Sequence, residues 1–413
     1  MRNFQIWQSR SNLFRSIPIR LSLIMFFQYM LFAVWWVPLA AYLTNMDVEG
    51  TQKALILSSM AIGCMASAVI GMVADRFFAS EKVLATLNLL TAVLLLVAAV
   101  VSHPVVLFVT LLFAMLFHMP TWSLTSAIAM SHAPSELFPR IRVFGSIGWV
   151  VSGLCSLFTV NVLKLGFDGT NIPFFFGAGI GMLAVASNLT LPNTPPPAKG
   201  QKVSVIDALG LRAVSLMKDR NFAVFIVISF LAMVPFSMYW SYCSEFLLDQ
   251  GFKYISVTMN FGQLAEMAFV LTVPFVIRKT GLRATMIIGL AVLAVRYLAF
   301  YLGGLAAQPS FYFSGILVHG VIYGYFFLGG QIYIDKKAPA GLRAQAQGFI
   351  SLVTFGLGLL MGNFICRQII DNFSVTTNRA ISYNWNMIWG ITSAMSLVLL
   401  LLFVLIFKNE ENS

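Results

Sequence analysis

Of the 15 acidic residues in the chain, nearly all fall in polar stretches or at the edges of long apolar runs, but Glu266 lies deep inside one. A charge at membrane depth costs roughly 2.5–3.5 kcal/mol on insertion scales, so such a carboxylate is either protonated and neutral or ionised and paired. A group that alternates between these forms carries a proton, which is the chemistry of a gradient-coupled carrier. The ordinary alternative is a structural carboxylate bonded to a neighbouring helix. Gln263 precedes Glu266 by three residues, so on a helix both share one face. An amide beside a carboxylate can read hydroxyls or the edge of a heterocyclic base. A second constellation occupies Phe138–Trp149 (FPRIRVFGSIGW). Arg142, Ser146 and Trp149 follow the i, i+4, i+7 spacing of a single helical stripe, with Gly145 and Gly148 between them to permit close helix packing. A guanidinium, a hydroxyl and an indole on one stripe suit a polar ring; the alternative for Arg142 is a basic anchor at the membrane face.

Other polar residues inside apolar runs carry weaker signals. His118 and His319 read first as hydrogen bonds between helices. Arg296 either snorkels or meets a backbone carbonyl, and no solute role is assigned to it. Gln28 and Tyr29, followed by Trp35, Trp36 and Pro38, are candidates for a cavity wall, although tryptophans near a span end are commonly interface anchors. Glu245, beside Tyr242 at the end of an apolar run, serves a gate or is simply solvated. The four cysteines, Cys64, Cys155, Cys243 and Cys366, have neither metal nor disulfide spacing and read as small packing residues. Soluble-type catalysis has no support: there is no Walker loop, GxSxG, HExxH or dinucleotide fingerprint, so the chain is not read as an enzyme and no cofactor is expected beyond a proton gradient.

The elements that position these residues follow from composition. Of 413 residues, 59% are hydrophobic and only 10% charged, with a mean hydropathy of +0.85. Soluble domains are about 25% charged, so lipid is the solvent of this chain. Its long continuous apolar runs, without period-2 alternation, select helices over a barrel. Twelve spans are expected near 21–44, 52–74, 82–101, 104–131, 142–164, 173–191, 221–248, 257–277, 284–304, 309–334, 343–369 and 383–407. A polar stretch opening Pro192-Asn193-Thr194-Pro195-Pro196-Pro197 separates two sets of six. The expected division is an N-terminal six-helix bundle over 1–195, a cytoplasmic linker with an amphipathic helix over 196–220, and a C-terminal six-helix bundle over 221–413. Lys and Arg concentrate in the loops on the side of both termini, including Arg140, Arg142, Lys336, Lys337 and Arg343. That places both termini in the cytoplasm and assigns the net charge of +11 to the positive-inside rule, not to nucleic acid.

The halves echo one another. Gly71-Met72-Val73-Ala74-Asp75-Arg76 follows the second span, and Arg278-Lys279-Thr280-Gly281-Leu282-Arg283 follows the eighth. Both are tight basic turns at equivalent places in a 6+6 chain, as in the major facilitator superfamily, whose members bind solute near the midplane between halves that rock in alternation. Together with Met119-Pro120-Thr121, Phe138–Trp149, Gly262–Pro274 (GQLAEMAFVLTVP) and Arg343–Gly348 (RAQAQG), these stretches resemble the nucleoside–proton symporter family within that superfamily, in order along the whole chain. The resemblance implies proton-driven nucleoside import by a monomeric, multi-pass protein of a bacterial inner membrane. It implies a central site including Arg142, Ser146, Trp149, Gln263 and Glu266. Where the family carries Gln and Asn on span 7, this chain has Ser237 and Trp240; His319 replaces a site tyrosine on span 10, and Gly324 an aspartate. Such changes alter hydrogen-bond recognition, so a sugar or sugar derivative, of muropeptide type among others, is an alternative solute. The expected solute site comprises Gln28, Arg142, Ser146, Trp149, Ser237, Trp240, Gln263, Glu266, His319 and Tyr323. Glu266 is the proton-coupling group, and Asp75, Arg76, Arg278 and Arg283 are conformational loop residues. A receptor that binds without transport is the reading from another class.

Overall fold

The structure, a computed structural model, describes residues 17–134, 136–196, 204–377 and 380–408. Among the described residues, eleven helices are long and apolar enough to cross a membrane: α1 Ile17–Asn45, α2 Gly50–Val73, α3 Ser80–Val100, α4 Pro104–His132, α5 Phe138–Asn161, then α7 Arg220–Asp249, α8 Ile255–Thr280, α9 Leu282–Ala306, α10 Pro309–Lys337, α11 Arg343–Asn372 and α12 Trp385–Ile406. The shorter α6, Ile172–Asn188, has 17 residues and completes the first set. In the first six, α1 packs on α5 and α6, α3 on α4 and α6, and α2 on α4. In the second, α9 packs on α10 and α12, α7 on α11 and α12, and α8 on α10. The sets meet mainly where α5 packs on α8 and α2 on α11. These contacts are equivalent if the second six helices repeat the first. The result is an all-α, two-bundle membrane fold of the major facilitator type.

Proline and glycine shape the helices. Pro38 interrupts α1 in a turn, and Pro120, Pro235 and Pro274 lie inside α4, α7 and α8. Wide π-type turns occupy Ile322–Leu328 of α10 and Leu352–Gly358 of α11; such turns are frequent at functional sites. Close approach of α1 and α5 rests on Gly148, where an added Cβ would stand 2.1 Å from the Phe26 carbonyl oxygen.

Two segments differ from expectation. The linker does not form one continuous amphipathic helix: a single turn at Val205–Ala208 gives way to 3₁₀ turns at Leu211–Lys218. Gly210 separates them at φ +70°, wedged against the Gln345 carbonyl, which stops the helix from propagating. Between α11 and α12 a short antiparallel hairpin, β1 Ser374–Thr377 with β2 Ala380–Tyr383, replaces a simple loop.

Apolar side chains stud the outer surface, among them Leu271, Leu405 and Val100, as suits a surface solvated by lipid. Inside, several polar groups pair between helices. Gln28, fully buried, donates to Thr121 Oγ1 at 2.5 Å and accepts from Asn88 Nδ2 at 3.0 Å, tying α1 to α3 and α4. His118 stacks on Phe32 beside this network. Gly148→Val should force α1 from α5 at a cost on the order of 1–3 kcal/mol, seen as a lowered melting temperature in detergent; an unchanged melting temperature would show that the close contact contributes nothing to stability.

Candidate functional site

A cavity of about 310 Å³ opens where the two bundles meet. α5 contributes Arg142, Ser146 and Trp149, one stripe as the i, i+4, i+7 spacing requires, and α8 contributes Gln263 and Glu266. α7 adds Trp240 and α10 adds Tyr323, the latter from its π-type turn. The Glu266 side chain is 17% exposed, so at membrane depth it faces this cavity and not lipid. The Arg142 guanidinium lies 4.3 Å over the Tyr29 ring. Gly145 makes room for this pair, since a Cβ there would stand 2.9 Å from the ring and 3.0 Å from the guanidinium. Trp149 and Trp240 approach to 5.8 Å between centroids, one from each bundle. Aromatic faces therefore form the floor, with one cation, one carboxylate and an amide aimed across it. That arrangement suits a solute with a flat ring and several hydroxyls or ring heteroatoms.

Three expected residues lie elsewhere. Gln28 is turned into the network with Asn88 and Thr121, behind the cavity wall. Ser237 donates to the Met233 carbonyl at 2.6 Å and packs beneath Gly362 of α11, where an added Cβ would stand 2.4 Å from its Oγ. His319 sits one layer back, stacked against Trp240 at 6.1 Å and beside a small annex of about 30 Å³ that Gln263 shares. Its Nε2 lies 3.6 Å from Glu266 Oε2.

The wall also includes residues that no sequence pattern singles out: Met60, Cys64 and Ser67 of α2, Trp122 and Ser123 of α4, and Ser351 and Phe355 of α11. The packing of α2 on α4 and on α11 brings these together, and serines in apolar helices give no directional signal. Cys64, expected to be a packing residue, is a wall residue; the other three cysteines are buried and all four are free.

Cys64, Ser67, Ser123 and Ser351 also line a second chamber of about 470 Å³ that continues to Arg76, Gly71, Ala208 and Leu209 at the linker. The second chamber thus adjoins the cavity and extends toward the linker. The side chain of Asp75 lies outside the described residues. On the equivalent loop of the second half, Arg278 is exposed, whereas Arg283 donates to the Phe407 and Val404 carbonyls at 2.8 and 2.7 Å, capping the end of α12.

The far side is shut. Lys53 of α2 and Glu245 of α7, both fully buried, pair at 2.8 Å across the two bundles. Arg367 of α11 reaches the same carboxylate oxygen at 3.3 Å, and Tyr383 of the hairpin donates to it at 3.0 Å. Asp371 in turn pairs with Arg367. Ser58 and Asn363 join α2 to α11 at 3.3 Å. In the loop before α6, Asp168 accepts from Ser156 at 3.0 Å and from the Ser256 amide at the start of α8 at 3.2 Å; burial pushes its carboxyl above the usual carboxylate range.

The family model described as "Nucleoside H+ symporter" matches residues 15–412. A putative nucleoside transporter of Escherichia coli, YegT, is 34% identical over 95% of this chain and 94% of its own length. The xanthosine permease of the same organism is 27% identical over 96% and 97%. Among solved structures, a mutant form of the nucleoside transporter NupG superposes with a TM-score of 0.86 at 25% identity, covering 95% of this chain and all of that one. A D-xylose–proton symporter, 13% identical with a TM-score of 0.72, shares the fold. With its two six-helix bundles, its central cavity and a family match running nearly end to end, the chain belongs to the nucleoside–H+ symporter family of major facilitator proteins.

Proposed function

We propose that this protein imports nucleosides with protons by alternating access, and that its solute binds among Arg142, Ser146, Trp149, Trp240, Gln263, Glu266 and Tyr323. The observation that carries the reading is Glu266: a carboxylate at membrane depth, facing an aromatic-walled cavity between two bundles. Family membership and the names of the relatives support the solute class. The division into bundles 1–195 and 221–413 about a linker at 196–220, with both termini in the cytoplasm of a bacterium, agrees with the placement of Lys and Arg. On that orientation the cavity opens inward, and the Lys53–Glu245–Arg367 cluster seals the periplasmic side. The basic turns with Asp75 and Arg76, and with Arg278 and Arg283, lie at the cytoplasmic ends where the bundles must close in the opposite state.

Coupling follows from electrostatics. With Glu266 ionised, closing the cavity strips water from a carboxylate; with Glu266 protonated and solute bound, that cost falls. A carrier with Glu266 protonated and solute bound therefore closes readily, whereas one whose carboxylate is ionised closes slowly. A sugar-like solute is the second reading, favoured because no span 7 amide faces the cavity: Ser237 is turned away and Trp240 is the α7 surface.

Glu266→Gln should abolish accumulation driven by an inward proton gradient in proteoliposomes while sparing solute exchange. Accumulation that persists unchanged refutes the coupling assignment. Competition of labelled uridine uptake separates the solutes: nucleosides should displace it and free sugars should not. Glu245→Gln removes the counter-charge of two buried cations, and losing one partner of such a pair costs about 3–5 kcal/mol. It should loosen the periplasmic seal, so that a cysteine introduced at Ser58 becomes reactive toward an impermeant maleimide added outside; unaltered labelling would assign the seal to packing alone.

A further inference from the structure

Arg296 of α9 is fully buried, and among the described residues it forms no ion pair. Its Nε donates to the Gly315 carbonyl at 3.1 Å, its guanidinium stacks 4.1 Å over the Tyr239 ring, and Nη2 meets His319 Nδ1 at 2.9 Å. A guanidinium has donors only, so Nδ1 must be the acceptor in that contact. The imidazole proton then resides on Nε2, the nitrogen 3.6 Å from Glu266 Oε2. Gly320 allows this proximity: a Cβ there would stand 2.5 Å from the Glu266 Cα, so α8 and α10 touch backbone to backbone.

From this geometry we infer that Arg296 and His319 are positioning residues for proton release: Arg296 locks His319 as the neutral Nε2–H tautomer, which donates to Glu266 once its proton has left. The inference rests on Glu266 being the coupling carboxylate. The step balances simply. The Glu266 O–H bond breaks, its proton passes to cavity water, and the electron pair stays on the carboxylate. The imidazole keeps its own proton and shortens the 3.6 Å contact into a hydrogen bond, passing the field of the buried guanidinium toward the new anion. His319 does not carry the transported proton, because protonating Nδ1 would set an N–H against the guanidinium donors at 2.9 Å. This cation approaches from α9, behind the cavity. The other charged and titratable groups around the carboxylate are Arg142 on α5, Tyr29 on α1, Tyr239 on α7 and Tyr323 on α10.

The test is an infrared titration of purified full-length protein, following the protonated-carboxyl band that disappears in Glu266→Gln. In Arg296→Gln and in His319→Phe the pH at which this band is half lost should rise by about one unit, because each removes the oriented donor that favours the charged carboxylate. His319→Gln should leave it near the native value, since a glutamine can accept from Arg296 and donate to Glu266 at once, and it should retain gradient-driven uptake. A midpoint unmoved in both Arg296→Gln and His319→Phe, in protein whose melting temperature is preserved, overturns the inference. If both unfold, His319→Gln decides between the roles: retained uptake supports positioning, whereas loss of gradient-driven uptake with exchange intact would assign proton transfer to the imidazole and equally overturn the inference. Absence of any band assignable to Glu266 instead refutes the coupling reading on which the inference stands.

Discussion

An ion in hydrocarbon has to find a counter-charge, a set of donors or water, and the interior of this protein is arranged around the few places where that requirement is met. Lys53, Arg367 and Tyr383 converge on one oxygen of Glu245, and in doing so they join α2 to α7 and α11. Arg296 is met locally by a carbonyl at Nε, an imidazole at Nη2 and an aromatic face, while its Nη1 is buried without a hydrogen-bond partner among the described residues. Among the described charged residues, Glu266 and Arg142 line the central cavity, held apart on different bundles. A buried ion cluster is weak evidence for net stability, because desolvation offsets much of its attraction. Its value here is discrimination between states, since a cluster shared by two bundles exists only while that end is closed.

Glycines set where these groups come to rest. Gly148 brings the α5 stripe against α1, Gly145 admits the pairing of Arg142 with Tyr29, and Gly320 presses His319 onto the Glu266 turn. Each is a contact in which a methyl group would meet backbone or ring atoms. The positions of the charged groups are therefore fixed by helix separation as much as by their own attraction. Small residues are the usual means of close approach in lipid, where hydrophobic burial between helices supplies no driving force.

Much of this is legible in the amino-acid order, for reasons that differ by residue. Length and hydropathy disclose the spans because lipid forbids unpaired backbone. Helical periodicity places Arg142, Ser146 and Trp149 on one stripe and Gln263 with Glu266 on one face, and each group lines the cavity together. Periodicity does not say which way a face turns, and so Gln28 and Ser237, polar and at plausible depth, turn out to be bonded within their own bundles. Ser67, Ser123 and Ser351 gain meaning only from the contact between α2 and α11. Arg296 meets a carbonyl, as its depth in an apolar run suggests, but its bond to His319 depends on a crossing of α9 with α10 that no local pattern specifies. The hairpin carrying Tyr383 leaves little trace in the sequence because its strands are only four residues each.

The two ends of the cavity are bordered by unlike chemistry, and this bears on how a proton can direct the cycle. The far end is held by full charges in contact, which separate only if water or new partners replace them. The linker end is bordered mostly by small or weakly polar residues such as Ser67, Gly71 and Gly348, with Arg76 among them. A form open at the linker end fits this contrast, and leaving it requires an event at the centre that makes closure of that end favourable. Neutralising the one carboxylate exposed to the cavity is such an event, since it removes the desolvation penalty of sealing the chamber without adding a contact at either end. Proton and solute can thus govern which end is open although neither touches a gate.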